Sequence, residues 1–329
     1  MRILRLHPPL MVTAIMMGLL ILVSGAGLLL DDRILLGVPI WLKPFKFAIS
    51  VVIYAVTLAW LVSLLNKGRR LGWWLGTVIA IALTIELAVI VGQAVRGRTS
   101  HFNFATNLDA TLFTIMAVMI VTLWLATAGI AILLLRQRIA DRGNALAIRL
   151  GLLIALGGLA IGFLMTSPRP EQIDDPAMSV IGAHAVGVPD GGPGLPLVNW
   201  STEGGDLRIG HFIGMHALQA LPLFALALGI ASRRIRRLRS EQIRARLVLV
   251  AAGGYASLTV LVTWQALRGQ SVVSPDAPTL VAGTALLLAV GAGTLWAFAR
   301  SATSDAASVD AASVDAASVD AATAEEVRR

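Results

Sequence analysis

Cysteine is absent from the 329-residue chain. That excludes disulfides, thiolate nucleophiles, Cys-ligated zinc, iron–sulfur clusters and covalently attached c-type haem. Charge is also scarce, at 14% of residues against 57% apolar, where an ordinary soluble domain carries roughly 25% charged. A phosphate-binding G-x-x-x-x-G-K loop is missing, which argues against an ATP-driven step within this chain. The metalloprotease pattern, two His at i and i+4 with a Glu between, is missing too.

What remains is long charge-free runs, with a mean hydropathy of +0.79. The run Leu10–Leu30 exceeds the roughly 7–15 residues of a signal-peptide core, so it reads as a retained first helix. Seven more runs are long enough to cross a hydrocarbon layer about 30 Å thick: Phe47–Leu65, Leu71–Val95, Ala110–Leu135, Leu150–Ser167, Ile209–Ser232, Leu247–Leu267 and Thr279–Ala299. In lipid the backbone must satisfy itself, so such runs form helices. The expected fold is an all-α polytopic membrane protein of eight transmembrane helices. Residues 1–300 form the membrane domain, and residues 301–329 a low-complexity disordered cytoplasmic tail. In that tail Asp305, Asp310, Asp315 and Asp320 recur every five residues, a period that builds no apolar face, so it should be dispensable.

Basic residues orient the bundle. Seventeen lie at the ends that are cytoplasmic if the N-terminus is inside, and eight at the opposite ends. The bias places both termini in the cytoplasm of a cell (inner) membrane. The dense run Arg233–Arg246 also suits anionic lipid headgroups. Nucleic acid is a poor partner, because no aromatic residues interleave with these charges.

The third span ends Gln93-Ala94-Val95-Arg96-Gly97 and the seventh ends Gln265-Ala266-Leu267-Arg268-Gly269, each followed by an acid, Asp109 or Asp276, before the next span. Lys43-Pro44-Phe45-Lys46-Phe47 and His211-Phe212 open the second and sixth spans alike. This suggests a 4+4 parallel repeat with halves 1–135 and 146–300. Arg followed by Gly is also simply how helices stop.

An ionisable side chain at a helix centre costs about 2.5–3.5 kcal/mol, so each needs a reason. Glu86 lies within the third span, with Gln93 on the same face. It is either a protonated or paired functional carboxyl or a neutral group bonding a neighbouring helix. Lys43, Lys46, Ser50, Tyr54 and Thr57 fall within a sector of about 80° on the second span, and Lys46 on that stripe is the expected partner of Glu86. Four of the five histidines, His101, His184, His211 and His216, fall on the outer side. His211 and His216 lie about 140° apart on a helix, too far to share an ion unless His211 precedes the first turn, whereas His216 and Gln219 share a face. Pro222 frees the carbonyl of Leu218 and is expected to kink the span there. The long connection 168–208, dense in Pro and Gly, reads as an outer lid whose Leu195, Leu197, Val198 and Trp200 fold back over the helix ends, or as an exposed linker.

These residues point to an outward-facing polar site. Lys46, Glu86, Gln93, Arg96, Gln219, Gln265 and Arg268 are the candidates for ligand binding or proton relay, and His101, His211 and His216 for metal. Two functions compete. One is binding or transport of a small anionic or proton-coupled solute; the other is a membrane enzyme or redox protein using a divalent metal or b-type haem. Trp41-Leu42-Lys43-Pro44-Phe45-Lys46-Phe47-Ala48 and Ser100-His101-Phe102-Asn103 resemble segments of a family of bacterial multi-pass membrane proteins with no assigned activity, and the resemblance implies a helical membrane domain and no particular ligand. Ceramidase-like membrane hydrolases also hold zinc with scattered His, Ser and Asp, but their paired His at i and i+4 is missing here.

Overall fold

The computed structural model describes residues 6–174, 177 and 179–299. The expected tail, and Arg2 and Arg5 of the N-terminal charge count, lie outside the described residues.

Helices dominate, as the apolar runs require. The order is α1 (Pro8–Leu30), a two-residue-strand hairpin β1 (Ile34–Leu35) and β2 (Val38–Pro39), α2 (Leu42–Ser63), α3 (Arg69–Val95), α4 (Asn107–Leu135) and α5 (Arg142–Met165). Then come a short α6 (Pro170–Ile173), β3 (Ala185–Val186), β4 (Gly205–Asp206), α7 (Leu207–Met215), α8 (Ala217–Ala231) and α9 (Glu241–Leu267). The last helix is α10 (Ala277–Ala299). Among the described residues seven helices are each long and apolar enough to span a membrane, and α7 with α8 make an eighth candidate, bent by 44°.

Helix ends follow local chemistry. Thr106 caps α4 by accepting the Asp109 N–H at 3.1 Å, Asp141 caps α5 through Asn144, and Ser240 caps α9 through Ile243. Each such cap satisfies an amide that has no partner inside the helix, worth about 1 kcal/mol. Pro8 and Pro44 sit in first turns, where their missing N–H costs nothing.

The largest core cluster joins α1–α4 through residues such as Leu10, Leu58, Ile79, Leu87 and Ile130, reaching Leu152 of α5 and Leu218 of α8. The outer surface is the reverse of a soluble protein's: Leu22, Leu29, Val260 and Leu287 are all more than two-thirds exposed, a surface stable only against lipid. The pairing of helices recurs along the chain. α1 packs on α2 and α3, and α2 on α3; likewise α5 packs on α7, α8 and α9, and α7 and α8 on α9.

The break between α7 and α8 falls at His216, two residues before Leu218, where the Pro222 argument puts the kink. Packing sets the place. A Cβ on Gly158 of α5 would lie 2.3 Å from the Gly214 backbone, and one on Gly151 2.8 Å from the Ala217 carbonyl. The backbones of α5 and the α7–α8 junction therefore touch, and only glycine allows it.

The long connection covers one end of the bundle. β3 pairs with β4 antiparallel, Ala185 opposite Asp206. An isolated bridge joins Asn103 to Val180, and the Ser271 hydroxyl donates to the Ser201 carbonyl at 3.2 Å. This segment is thus tied to the α3–α4 and α9–α10 turns instead of hanging as a linker. Of the four apolar residues expected to fold back, Val198 and Trp200 line the cavity beneath, while Leu197 is 79% exposed.

Candidate functional site

A cavity of about 1080 Å³ opens beneath that cover, bounded by α2, α3, α4, α5 and α7. Its walls are mostly aliphatic and aromatic. The polar groups gather at the covered end, where α2 starts, α3 stops and the lid descends.

Lys43, in the first turn of α2, places its Nζ 3.0 Å from His101 Nδ1. An ammonium only donates, so Nδ1 is the acceptor and the imidazole N–H sits on Nε2. That Nε2 faces Glu86 Oε1 of α3 at 3.8 Å. Ser100 Oγ also lies 3.1 Å from Nδ1. The other carboxylate oxygen, Glu86 Oε2, is buried and unbonded to any described group. The result is a cluster in which His101 bonds Lys43 and stands 3.8 Å from Glu86, beyond hydrogen-bond reach, while the buried Glu86 Oε2 is left as an open acceptor. His101 is held neutral. Burial pushes its imidazole well below the ordinary histidine value, and Lys43, His184 and His211 push the same way.

His184 approaches from the lid, its ring centroid 6.5 Å from that of His101. Its Nδ1 lies 2.8 Å from Asp190 Oδ2, and Asp190 accepts further bonds from the His184 and Ala185 amides. Burial alone would raise the Asp190 carboxyl, but these bonds outweigh it and hold the group below the usual carboxylate range. Burial lowers His184, with the Asp190 hydrogen bond opposing. The carboxylate therefore fixes the ring with Nε2 as a free acceptor. His211 of α7 is fixed the same way, its Nδ1 2.8 Å from the Gly158 carbonyl.

Lys46 extends one turn below Lys43 and donates to the Val198 carbonyl of the lid at 2.9 Å. No carboxylate lies within ion-pair distance of it among the described residues. Arg208 also borders the cavity, but Asp206 neutralises it at 2.5 Å.

Of the ten residues singled out from sequence, Lys46, Glu86, His101 and His211 share this cavity. The others lie elsewhere. Gln93 donates to Asp109 at 2.9 Å and Arg96 pairs with the same carboxylate at 2.9 Å. Gln265 donates to the Ser271 carbonyl at 2.8 Å, and Arg268 pairs with Asp276. His216 bonds Gln219 at 3.3 Å and meets the cavity only through Ser50, 3.4 Å from its Nε2. In place of the expected Lys46–Glu86 pairing, Lys46 bonds the lid, and the group beside Glu86 is His101, itself bonded to Lys43. Helix periodicity gave both lysines the stripe, and only the loop carrying His101 decides between them. The stripe does face protein as far as Tyr54, whose hydroxyl bonds Thr127 at 2.7 Å, but Thr57 turns back to the Ile53 carbonyl. Among the described residues no three His, Asp or Glu side chains converge as a metal set, and His101, His211 and His216 hold separate partners. Asp190 and Lys43 are the residues that sequence undervalued. The signal for Asp190 was there in the turn Val188-Pro189-Asp190-Gly191, but nothing local shows that it reaches back six residues to a histidine.

The two helix ends flagged as alike are alike in detail. Gly97 and Gly269 take φ of 70° and 72°. The amide after each glycine bonds back to the carbonyl of Gln93 or Gln265, and each Gln side chain donates to the carbonyl six residues on, that of Thr99 or Ser271. Each Arg then pairs with the acid that opens the next helix.

Comparison with protein-family models, with curated proteins and with solved structures returned no match in any of the three.

Proposed function

We propose that this integral membrane protein binds a small anionic solute in the covered cavity and takes up a proton at Glu86 as it does so, as a proton-coupled transporter would. The observation that carries the reading is the buried Glu86 Oε2, without a partner among the described residues, beside the bonded Lys43–His101 pair. Lys43 and the unpaired Lys46 attract an anion. A solute anion beside an ionised Glu86 is repelled, whereas a protonated Glu86 donates a hydrogen bond to it. His101, neutral and bonded to Lys43, stands 3.8 Å from the carboxylate and is the group placed to relay the proton from the lid side once that gap closes or a water bridges it.

The charge bias of the connecting segments supports placing the cavity on the outer face of the cell membrane, with both termini inside and α7–α8 as one broken span of eight. The matched helix ends and the recurring packing order support two parallel four-helix halves, 1–135 and 146–300, meeting at α4 and α5. The competing metal or haem enzyme has less support, since among the described residues no three His, Asp or Glu side chains converge on one point.

Butyrate is a suitable probe. Titration calorimetry of protein in nanodiscs, run in buffers of different ionisation enthalpy, should show binding with uptake of about one proton. Glu86→Gln should bind butyrate with no uptake, and Lys43→Met should weaken binding at least tenfold. Absence of binding by butyrate and by other small carboxylates would refute the reading.

A further inference from the structure

The cavity is divided by polarity along its depth. From Lys43 to Tyr54 on α2 is eleven residues, about 16 Å of helix rise. At the upper end sit Lys43, Lys46, His101, His184 and the open Glu86 oxygen. Below Glu86 the lining is Leu83 on α3, Met116, Ile120 and Leu123 on α4, and Leu159 on α5; of the polar side chains there, Ser50 lies 3.4 Å from His216 Nε2 and the Trp124 indole donates to the Leu156 carbonyl. Among the described residues the floor offers no free polar group. Tyr54 donates to Thr127, and Thr127 donates to the Leu123 carbonyl at 2.8 Å. A small hydrophilic anion would fill only the top and leave an apolar shaft beneath it. Such a shaft holds water poorly, because a water molecule needs two or more polar partners.

We infer, building on the anion-binding reading above, that the ligand is an anionic amphiphile with an alkyl tail, its carboxylate between Lys43, Lys46 and Glu86 and its tail running down the cavity towards Tyr54. The head meets two cations and a carboxyl that donates once it is protonated. The tail meets branched aliphatic side chains and displaces poorly bonded water. The dry floor sets a limit on tail length, since a longer chain has nowhere to go past the Tyr54–Thr127 pair.

Laurate and butyrate test this in the full-length protein in nanodiscs, with empty nanodiscs subtracted to remove partition into lipid. Burying a methylene is worth about 0.8 kcal/mol, or roughly fourfold in affinity, so laurate should bind at least tenfold tighter than butyrate. Ala117 and Ile120 line the shaft ten and more residues into α4. Ala117→Phe and Ile120→Trp, each verified by unchanged thermal unfolding, should abolish the laurate advantage and leave butyrate binding and its proton uptake intact. If butyrate binds with proton uptake but laurate is no tighter, or keeps its advantage in both variants, the amphiphile inference is overturned and the anion site stands. If neither binds, the anion site itself falls and the inference with it.

Discussion

Asp190 reaches back six residues to seat the His184 ring, 2.8 Å from Nδ1, and in doing so closes the lid over the cavity. A carboxylate that accepts an imidazole N–H and two backbone amides holds a turn in one shape. The turn carries His184 to within reach of His101 and Phe102, so the lid's own fold completes the polar end of the site.

Lid closure should therefore weaken in acid. Burial lowers His184, and it stays neutral among Asp190, Lys43, Arg208, His101 and His211. Asp190 is also held below its ordinary value. With both groups depressed in the closed state, the open state binds more protons, so stability of closure rises with pH. The His184 share is complete above about pH 6.5 and is lost as pH falls below it; the Asp190 share is lost only in the usual carboxylate range and below. Hydrogen exchange of the 184–190 amides should speed up between pH 7 and pH 5, after correction for intrinsic exchange. In His184→Gln that extra acceleration should vanish, and a profile identical to wild type would show that His184 does not control the lid.

The two matched Arg–Asp pairs should differ in worth. Asp109 is wholly buried and receives Gln93, Arg96 and Thr106, so Asp109→Asn forfeits charge-assisted bonds worth about 2–3 kcal/mol. Asp276 is one-third exposed, and solvent screening makes Asp276→Asn the smaller loss. Denaturation of the two variants in the same detergent gives the order. Equal losses would mean that burial is not what separates them.

The helical class and the places of the long apolar helices were legible in sequence because hydropathy is a local signal. The site was legible only in its costliest member. Glu86 announces itself, since a carboxyl in an apolar run demands a partner. Which partner it takes is decided by the α3–α4 turn, where Phe102 adopts a φ of 61° and sets His101 over Lys43. No periodicity argument reaches that. Gln93 misleads for the same reason: on a helix wheel it shares the face of Glu86, but Asp109, sixteen residues on, captures it together with Arg96. The kink shows the complementary limit, because Pro222 is visible in sequence whereas the Gly158–Gly214 contact that places the bend is a meeting of distant glycines.

That contact gives a sharp comparison within one helix. Gly157→Ala places its methyl in open space, whereas Gly158→Ala drives it into the Gly214 backbone. The first should be neutral or stabilising by up to about 1 kcal/mol, since alanine suits a helix better than glycine. The second should cost about 1–3 kcal/mol through overpacking against atoms that cannot rotate away, and should also shift His211, whose Nδ1 bonds the Gly158 carbonyl. Thermal unfolding of the pair decides it, and similar midpoints would mean that α5 and α7 do not pack backbone to backbone.

The lack of cysteine makes the proposed orientation directly measurable, because the wild-type chain is already the blank for thiol labelling. Glu203 is exposed on the lid, and Arg237 is exposed in the basic connection between α8 and α9 at the other end of the bundle. With the lid outside, Glu203→Cys should react with a membrane-impermeant maleimide on intact spheroplasts, and Arg237→Cys should react only after lysis. The reverse pattern would invert the whole bundle. The cavity would then draw its ligand and its proton from the cytoplasm, against the charge bias of every connecting segment.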